Sequence, residues 1–171
     1  MNRSAAGALA LVLPFAFAGG ALGAQSLQSR YTSLQGCAAV RHLVLRERTI
    51  ESGALRCPGV DGFSVYVVDD DPRGFLVLER AKKRFSFQGP MVNAFLLGDF
   101  PNVSGAAKAE WRLDSKGRAV GLIVRVSYMR GNAPASALFC LALRGTEPAL
   151  IGVAKTNEEA RALIERTQAA R

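Results

Sequence analysis

Histidine is nearly absent from this sequence. His42 is the only one in 171 residues, which excludes any site that needs two or more imidazoles. The three cysteines, Cys37, Cys57 and Cys140, form no C-x-x-C, so neither a thioredoxin-type motif nor a zinc ribbon is encoded. No G-x-S-x-G, H-E-x-x-H, G-x-x-x-x-G-K-[ST] or G-x-G-x-x-G occurs. Beyond residue 24 no apolar run approaches the roughly 20 residues that a membrane span requires. Acidic residues are the scarcer charge, 14 against 22 basic ones, for a formal net charge of +8. Hydrophobic residues make up 49% and charged residues 21%, which fits neither a disordered tail nor a coiled coil.

The first two dozen residues read as a secretory leader. Arg3 supplies a positive start, residues 8–18 an apolar stretch broken by Pro14, and Gly19, Gly20, Ala21, Gly23 and Ala24 a small-residue cleavage region. Cleavage after Ala24 is expected, with cleavage after Gly23 as the competitor and an uncleaved anchor as the alternative. The 147 residues that follow amount to one domain of net charge +7. In an oxidising compartment the expected pairing is Cys37–Cys57, with Cys140 free and buried in the apolar run Leu138-Phe139-Cys140-Leu141-Ala142-Leu143. Two other single pairings stay open.

Alternating apolar runs separated by turn residues predict a β-rich domain. Residues 40–50 read as one strand. Phe63-Ser64-Val65-Tyr66-Val67-Val68 and Gly74-Phe75-Leu76-Val77-Leu78 form a hairpin across Asp69-Asp70-Asp71-Pro72-Arg73. Arg84-Phe85-Ser86-Phe87-Gln88 places Phe85 and Phe87 on one buried face. Residues 89–107 read as a long connection with a helical turn around 92–97. Lys108–Leu113 carries the only tryptophan, Trp111, and turns through Asp114-Ser115-Lys116-Gly117 into a long strand over 118–129. On that strand Val120, Leu122, Val124, Val126 and Tyr128 face one way. Gly131-Asn132-Ala133-Pro134 turns into a strand over 136–144, and Ala149–Ala154 follows.

The period then changes. Thr156-Asn157-Glu158-Glu159 is a capping box, and Ala160, Leu163, Ile164 and Thr167 share one face of a helix over 156–169. About seven strands and one C-terminal amphipathic helix give an α+β domain with a mostly antiparallel sheet. A parallel fold would need helical crossovers, and the sequence supplies none.

Tyr31-Thr32-Ser33-Leu34-x-x-Cys37, Arg56-Cys57-Pro58-Gly59-x-x-Gly62-x-x-Val65-x-Val67 and Glu110-Trp111-Arg112-Leu113-Asp114-x-x-Gly117-Arg118 together carry a resemblance over roughly residues 31–128. The chain is similar to a family of small exported proteins of Gram-negative bacteria with no assigned function. That resemblance implies an exported single domain and carries over no catalytic residue. The family pattern places a cysteine near the C-terminus, whereas this chain ends Thr167-Gln168-Ala169-Ala170-Arg171, which leaves the role of Cys140 open.

Each residue group with chemistry has a structural reading beside the functional one. Cys57-Pro58-Gly59 reads as a sharp turn beside a disulfide, with proline presetting its dihedral and glycine taking a left-handed one. The rival reading, a reactive Cys57 served by His42, is disfavoured by the partner Cys37. Asp69, Asp70 and Asp71 lack the alternate spacing of a calcium loop and read as a solvated hairpin tip. Arg80, Lys82, Lys83 and Arg84 form a basic cluster able to attract an anion, or a charged turn that keeps an edge soluble. Arginine outnumbers lysine 17 to 5, but no nucleic-acid motif accompanies the charge. Glu47, Glu51, Glu110 and Asp114 are the carboxylates available for acid–base work, without a shared cleft visible in the sequence.

The expected function is that of a non-catalytic periplasmic or secreted binding domain. Its partner would be a protein or another envelope component, not nucleic acid, and it implies no metal, no cofactor and no membrane insertion of the mature chain. The alternatives are a small hydrolase or isomerase using loop carboxylates, and an electrostatic binder of anionic envelope polymers.

Overall fold

The computed structural model describes residues 26–46, 48–51, 53–70, 73–93, 99–103, 106, 108–143 and 147–170. The expected leader, Glu47, the Asp71-Pro72 tip and residues 94–97 lie outside these residues. The chain is mostly antiparallel β-sheet with a C-terminal helix, the expected α+β class.

One sheet is built from β1 (Gln28–Ser33), β10 (Lys108–Leu113), β11 (Ala119–Arg130), β12 (Ala133–Ala142) and β13 (Ala149–Ala154), in that order. A short β9 (Asp99–Asn102) pairs with the far end of β11. The second sheet runs β2 (Ala38–Val40), β5 (Ala54–Pro58), β6 (Phe63–Asp70), β7 (Arg73–Arg80) and β8 (Lys83–Ser86). A separate ribbon joins β3 (Leu43–Val44) to β4 (Thr49–Ile50). Two helices complete the chain, α1 (Gln88–Asn93) and α2 (Asn157–Ala169).

The described strands number thirteen because five of them are only two to four residues long and leave little periodicity to read. Residues 40–50 are not one strand. The chain reverses inside them, where the Leu45 N–H donates to the Arg48 carbonyl at 2.8 Å, so that Leu43, Leu45 and Ile50 can all be buried. The connection at 89–107 is likewise interrupted: α1 starts at Gln88, earlier than expected, and β9 follows it. β1 carries no apolar alternation and is mostly exposed, so the sequence offers no period by which to find it. After β11 the loop is Gly131-Asn132 alone, since Ala133 and Pro134 already pair with Arg130 and Met129.

The two sheets pack face to face. Odd-numbered positions of β6, such as Val65 and Val67, and even-numbered positions of β11, such as Leu122, Val124 and Val126, enter one buried cluster. Trp111 is wholly buried there, with its ring centroid 5.8 Å from that of Phe63. Its indole N–H donates to Thr32 Oγ1 at 2.9 Å, so the buried donor is satisfied.

The opposite face of the first sheet is covered by α2. Thr156 caps that helix as expected: its hydroxyl accepts from the Glu159 N–H at 3.2 Å, while Glu159 accepts from the Thr156 and Lys155 N–H groups. Ala160 and Ile164 are fully buried against Ile123, Leu138 and Cys140. The helix sits so close that a Cβ on Gly121 would lie 2.6 Å from Ile164 Cγ2. Helix, sheet and sheet are therefore three stacked layers.

The Cys37–Cys57 disulfide is formed and ties the segment after β1 to β5. Cys140 is free and buried. Gly59 departs from expectation, because the left-handed positions of this turn are Asp61 (φ 52°) and Gly62 (φ 76°). What Gly59 supplies is room, since a Cβ there would collide with the Phe63 carbonyl.

Candidate functional site

The basic cluster is presented by a two-residue turn between β7 and β8. Ala81 and Lys82 occupy it with φ of 50° and 65°, the paired left-handed geometry that suits the twist of a tight hairpin but is usually supplied by Asn-Gly. The four cations are not equivalent. Arg80 pairs with Asp61 at 3.2 Å and lies over the Phe63 ring at 4.8 Å. Arg84 pairs with Glu79 at 2.7 Å, lies over Tyr66, and donates to the Val44 carbonyl at 2.9 Å. Those two arginines are committed to the fold. Lys82 and Lys83 are exposed, and no carboxylate among the described residues lies within ion-pair distance of either.

Beside this turn the two sheets end together. β8 is the last strand of its sheet and β13 the last of the other. Between them runs a groove of about 980 Å³, with Leu45 and Arg46 at one rim, Lys83 to Phe87 along β8, and Glu147 to Leu150 opposite. It continues into a smaller cavity of about 210 Å³ between the sheet ends, bounded by Phe63, Arg80, Phe85, Leu143 and Pro148.

Phe87 is buried as the alternation predicts, but Phe85, on the same face, is only half-buried because β8 has no neighbour beyond it and the groove lies alongside. Arg46 is exposed and has no carboxylate partner among the described residues. Glu147 is the one carboxylate among the described residues that line the groove. The Phe87 N–H donates to Leu76 O at 2.9 Å, which fixes the phase of the ladder. Lys83 and Phe85 therefore point their backbone groups at β7, and Arg84 and Ser86 point theirs at the free edge.

His42 lies on the surface with Nδ1 2.7 Å from Glu51, and Cys57 is consumed by the disulfide, so the pair imagined for nucleophilic chemistry is not assembled. Among the described residues no three His, Cys, Asp or Glu side chains converge as a metal site. Asp69 is exposed at the end of β6.

Glu110 is the carboxylate whose environment sequence reasoning missed. It faces α2 from β10, is 5% exposed, and accepts from Arg161 Nε at 2.7 Å, from Arg161 Nη2 at 3.2 Å and from the Ser29 hydroxyl at 2.6 Å. Arg112, two residues along the same face, lies 3.6 Å from Glu110, donates to Ser29 and binds Glu165 of α2 at 2.7 Å. Burial alone would raise the Glu110 pKa, but hydrogen bonds from Arg161 and Ser29, with the Arg161 charge, hold it below the ordinary carboxylate value. The signal was the alternation of β10 itself: with Trp111 pointing into the core, Glu110 and Arg112 had to share the other face.

Asp114 closes the next turn. The Arg118 side chain, opposed by burial and helped by the Arg118 and Lys116 backbone N–H groups, lowers its pKa to about 2. A further depression of about 500 Å³ beside exposed Phe100 gathers Ser127 and Ser136, and its described lining residues include no ionised group. No protein-family model, curated protein or solved structure matches the chain.

Proposed function

We propose that the chain is an exported, non-catalytic binding domain of a Gram-negative envelope, and that its partner seats in the groove between β8 and β13. The observation that carries the reading is the groove's composition. Half-open Phe85 and Leu150 offer apolar surface, while Arg46, Lys82 and Lys83 stand nearby without a carboxylate partner. At the same site Arg80 and Arg84 are spent on Asp61 and Glu79, as Arg112, Arg118 and Arg161 are spent on acids elsewhere. Charge left unmatched beside half-open apolar side chains is the composition of an interface.

One observation supports export: the Cys37–Cys57 disulfide belongs to an oxidising compartment. Among the described residues no helix is long and apolar enough to cross a membrane. The non-catalytic part rests on the use of the carboxylates: Glu110 and Asp114 are held ionised by arginines inside structural networks, which makes them poor proton donors at neutral pH.

Photocrosslinking tests the reading. Ala149→p-benzoylphenylalanine places a probe on the exposed groove wall, and Arg125→p-benzoylphenylalanine places one at an exposed position of β11 in the same sheet, outside the groove lining. In an envelope extract, a discrete adduct is expected from position 149 and none from 125. Adducts from 125 alone, or equally from both, refute the assignment. Turnover of any chromogenic substrate that is lost in a folded Glu110→Gln variant refutes the non-catalytic reading.

A further inference from the structure

Resting on the groove as the partner site, we infer that its occupant is an extended, acidic polypeptide segment that adds to the free edge of β8 as a sixth strand. The edge supplies the backbone side of the argument. β8 ends its sheet, and its ladder phase leaves the N–H and C=O of Arg84 and Ser86 directed outward. A chain laid there in β conformation meets a donor and an acceptor at every second residue, spaced for a polypeptide. Four residues of β8 span about 13 Å, enough to register a segment of roughly four to six residues.

Charge chooses between occupants. A second copy of this chain paired edge to edge would bring Lys83 and Arg84 against their own counterparts, which is how edge lysines forbid self-association. An acidic segment reverses the sign. Lys83 on the core-facing side of β8, Lys82 at the turn and Arg46 across the groove await carboxylates, and none of the three has one among the described residues. Glu147, on the opposite wall, is the one opposing charge among the described lining residues, and it places the anionic side of the ligand nearer β8 than β13.

Apolar contact sets the alternation. Lys83 and half-buried Phe85 share the groove-facing side of β8, two residues apart, so along that side of the segment an acidic side chain should alternate with an apolar one, and the residues between them face away. A sulfated or phosphorylated polysaccharide would satisfy the lysines and leave the edge and Phe85 unused. The polypeptide uses all three.

The test is fluorescence anisotropy with a labelled seven-residue peptide, Glu-Ser-Val-Ser-Glu-Ser-Val, whose Glu and Val side chains alternate along one face of a strand. Controls are the same peptide with Lys for Glu, the Glu peptide N-methylated at alternate residues, and dextran sulfate. The Glu peptide should bind, and the Lys and N-methylated peptides should bind at least about tenfold more weakly. Lys83→Glu should cost about tenfold. Ser86→Pro should abolish binding while leaving the melting temperature within a few degrees, because its N–H faces outward and takes no part in the β7–β8 ladder. If Ser86→Pro does unfold, Arg46→Glu combined with Lys83→Glu leaves the backbone intact and carries the same expectation.

Equal binding of the N-methylated peptide, or dextran sulfate binding in preference to the Glu peptide, overturns strand addition in favour of plain electrostatics. Concentration-dependent dimers in sedimentation, lost in Ser86→Pro, make a second copy the occupant and overturn it too. The two proposals fail separately: an adduct at position 149 without Glu-peptide binding sinks the acidic strand and spares the groove, whereas absence of both sinks both.

Discussion

Replacing Arg161 by leucine probes whether the charge network between α2 and β10 holds the helix to the sheet. In the native chain Glu110 has a side chain only 6% exposed and takes two hydrogen bonds from Arg161, at 2.7 and 3.2 Å. Removing one partner of a fully buried pair costs about 3–5 kcal/mol, because the other charge is left uncompensated. Here Arg161 is itself 34% exposed, and Glu110 keeps Ser29 at 2.6 Å and Arg112 at 3.6 Å. Solvent screening and those remaining partners reduce the expectation to about 2 kcal/mol, or about 6 °C in a domain of this size.

Adding Glu110→Gln to Arg161→Leu removes the stranded charge, so the double variant should be more stable than the sum of the two single losses by about 1 kcal/mol. Urea denaturation followed through Trp111, buried on the same strand, measures all four species. The pH dependence has a definite sign. Glu110 titrates below its ordinary value of 4.5 in the fold, so its contribution is complete above that value and is lost as the pH falls through the depressed one. Glu110→Gln should flatten the acid limb of the stability curve in that window. Losses that add to within about 0.3 kcal/mol, together with an unchanged acid limb, refute the reasoning.

The disulfide closes a loop with a sequence separation of 20, so Cys37→Ser with Cys57→Ser should cost about 3 kcal/mol by loop entropy, read as a shift in urea midpoint that reductant reproduces in the native chain. A cost below about 1 kcal/mol would contradict that account. Gly121→Ala forces a Cβ to 2.6–2.8 Å from Ile164, and should destabilise by about 1–3 kcal/mol, with partial recovery on adding Ile164→Val; a neutral effect removes the close-approach argument. Burial, with the nearby Glu110 charge, pushes the Cys140 thiol up to about 12, so iodoacetamide at pH 8 should leave it unmodified until urea unfolds the chain. Rapid alkylation of the folded protein would place Cys140 elsewhere.

What the sequence made legible was local. β6, β7, β10 and β11 announce themselves by alternation and by tight turns such as Asp114-Ser115-Lys116-Gly117, and α2 by its capping box, because each signal is complete within a dozen residues. The Cys37–Cys57 bridge followed from how few cysteines there are and where they stand. Pairings between distant strands were not legible. β1 joins β10 across about eighty residues, Tyr31 opposite Glu110, and nothing in Gln28–Ser33 records that partner. The same limit hid the candidate site. Arg80, Lys82, Lys83 and Arg84 were visible as a cluster, but which were spent depended on Asp61 and Glu79, and the groove exists only because β8 and β13 end their sheets side by side. Glu110 was visible as a carboxylate, and its partner lay fifty-one residues on, at Arg161.

The two flanks of the sandwich differ in a way that stability alone does not explain. Near β1 and β10 the buried charges are paired, Glu110 with Arg161 and Arg112 with Glu165, and Ser29 and Tyr31 add hydrogen bonds, although Arg112 Nε is left without a partner. A helix has been laid over the neighbouring strands β11 to β13, and its arginine reaches the flank to seal it. At β8 the chain had an acid within reach for Arg84, namely Glu79, and used it, yet no described acid meets Lys82, Lys83 or Arg46. Leaving solvated lysines unpaired costs the fold almost nothing, since an exposed ion pair contributes about 0–1 kcal/mol. Leaving Phe85 half-open beside them does forfeit apolar burial that a fifth residue in β8 or a longer α1 could recover. A flank that forgoes this gain while the buried charges of its opposite number are paired is the place to look for a partner, because the missing strand and the missing carboxylates can come from the same chain.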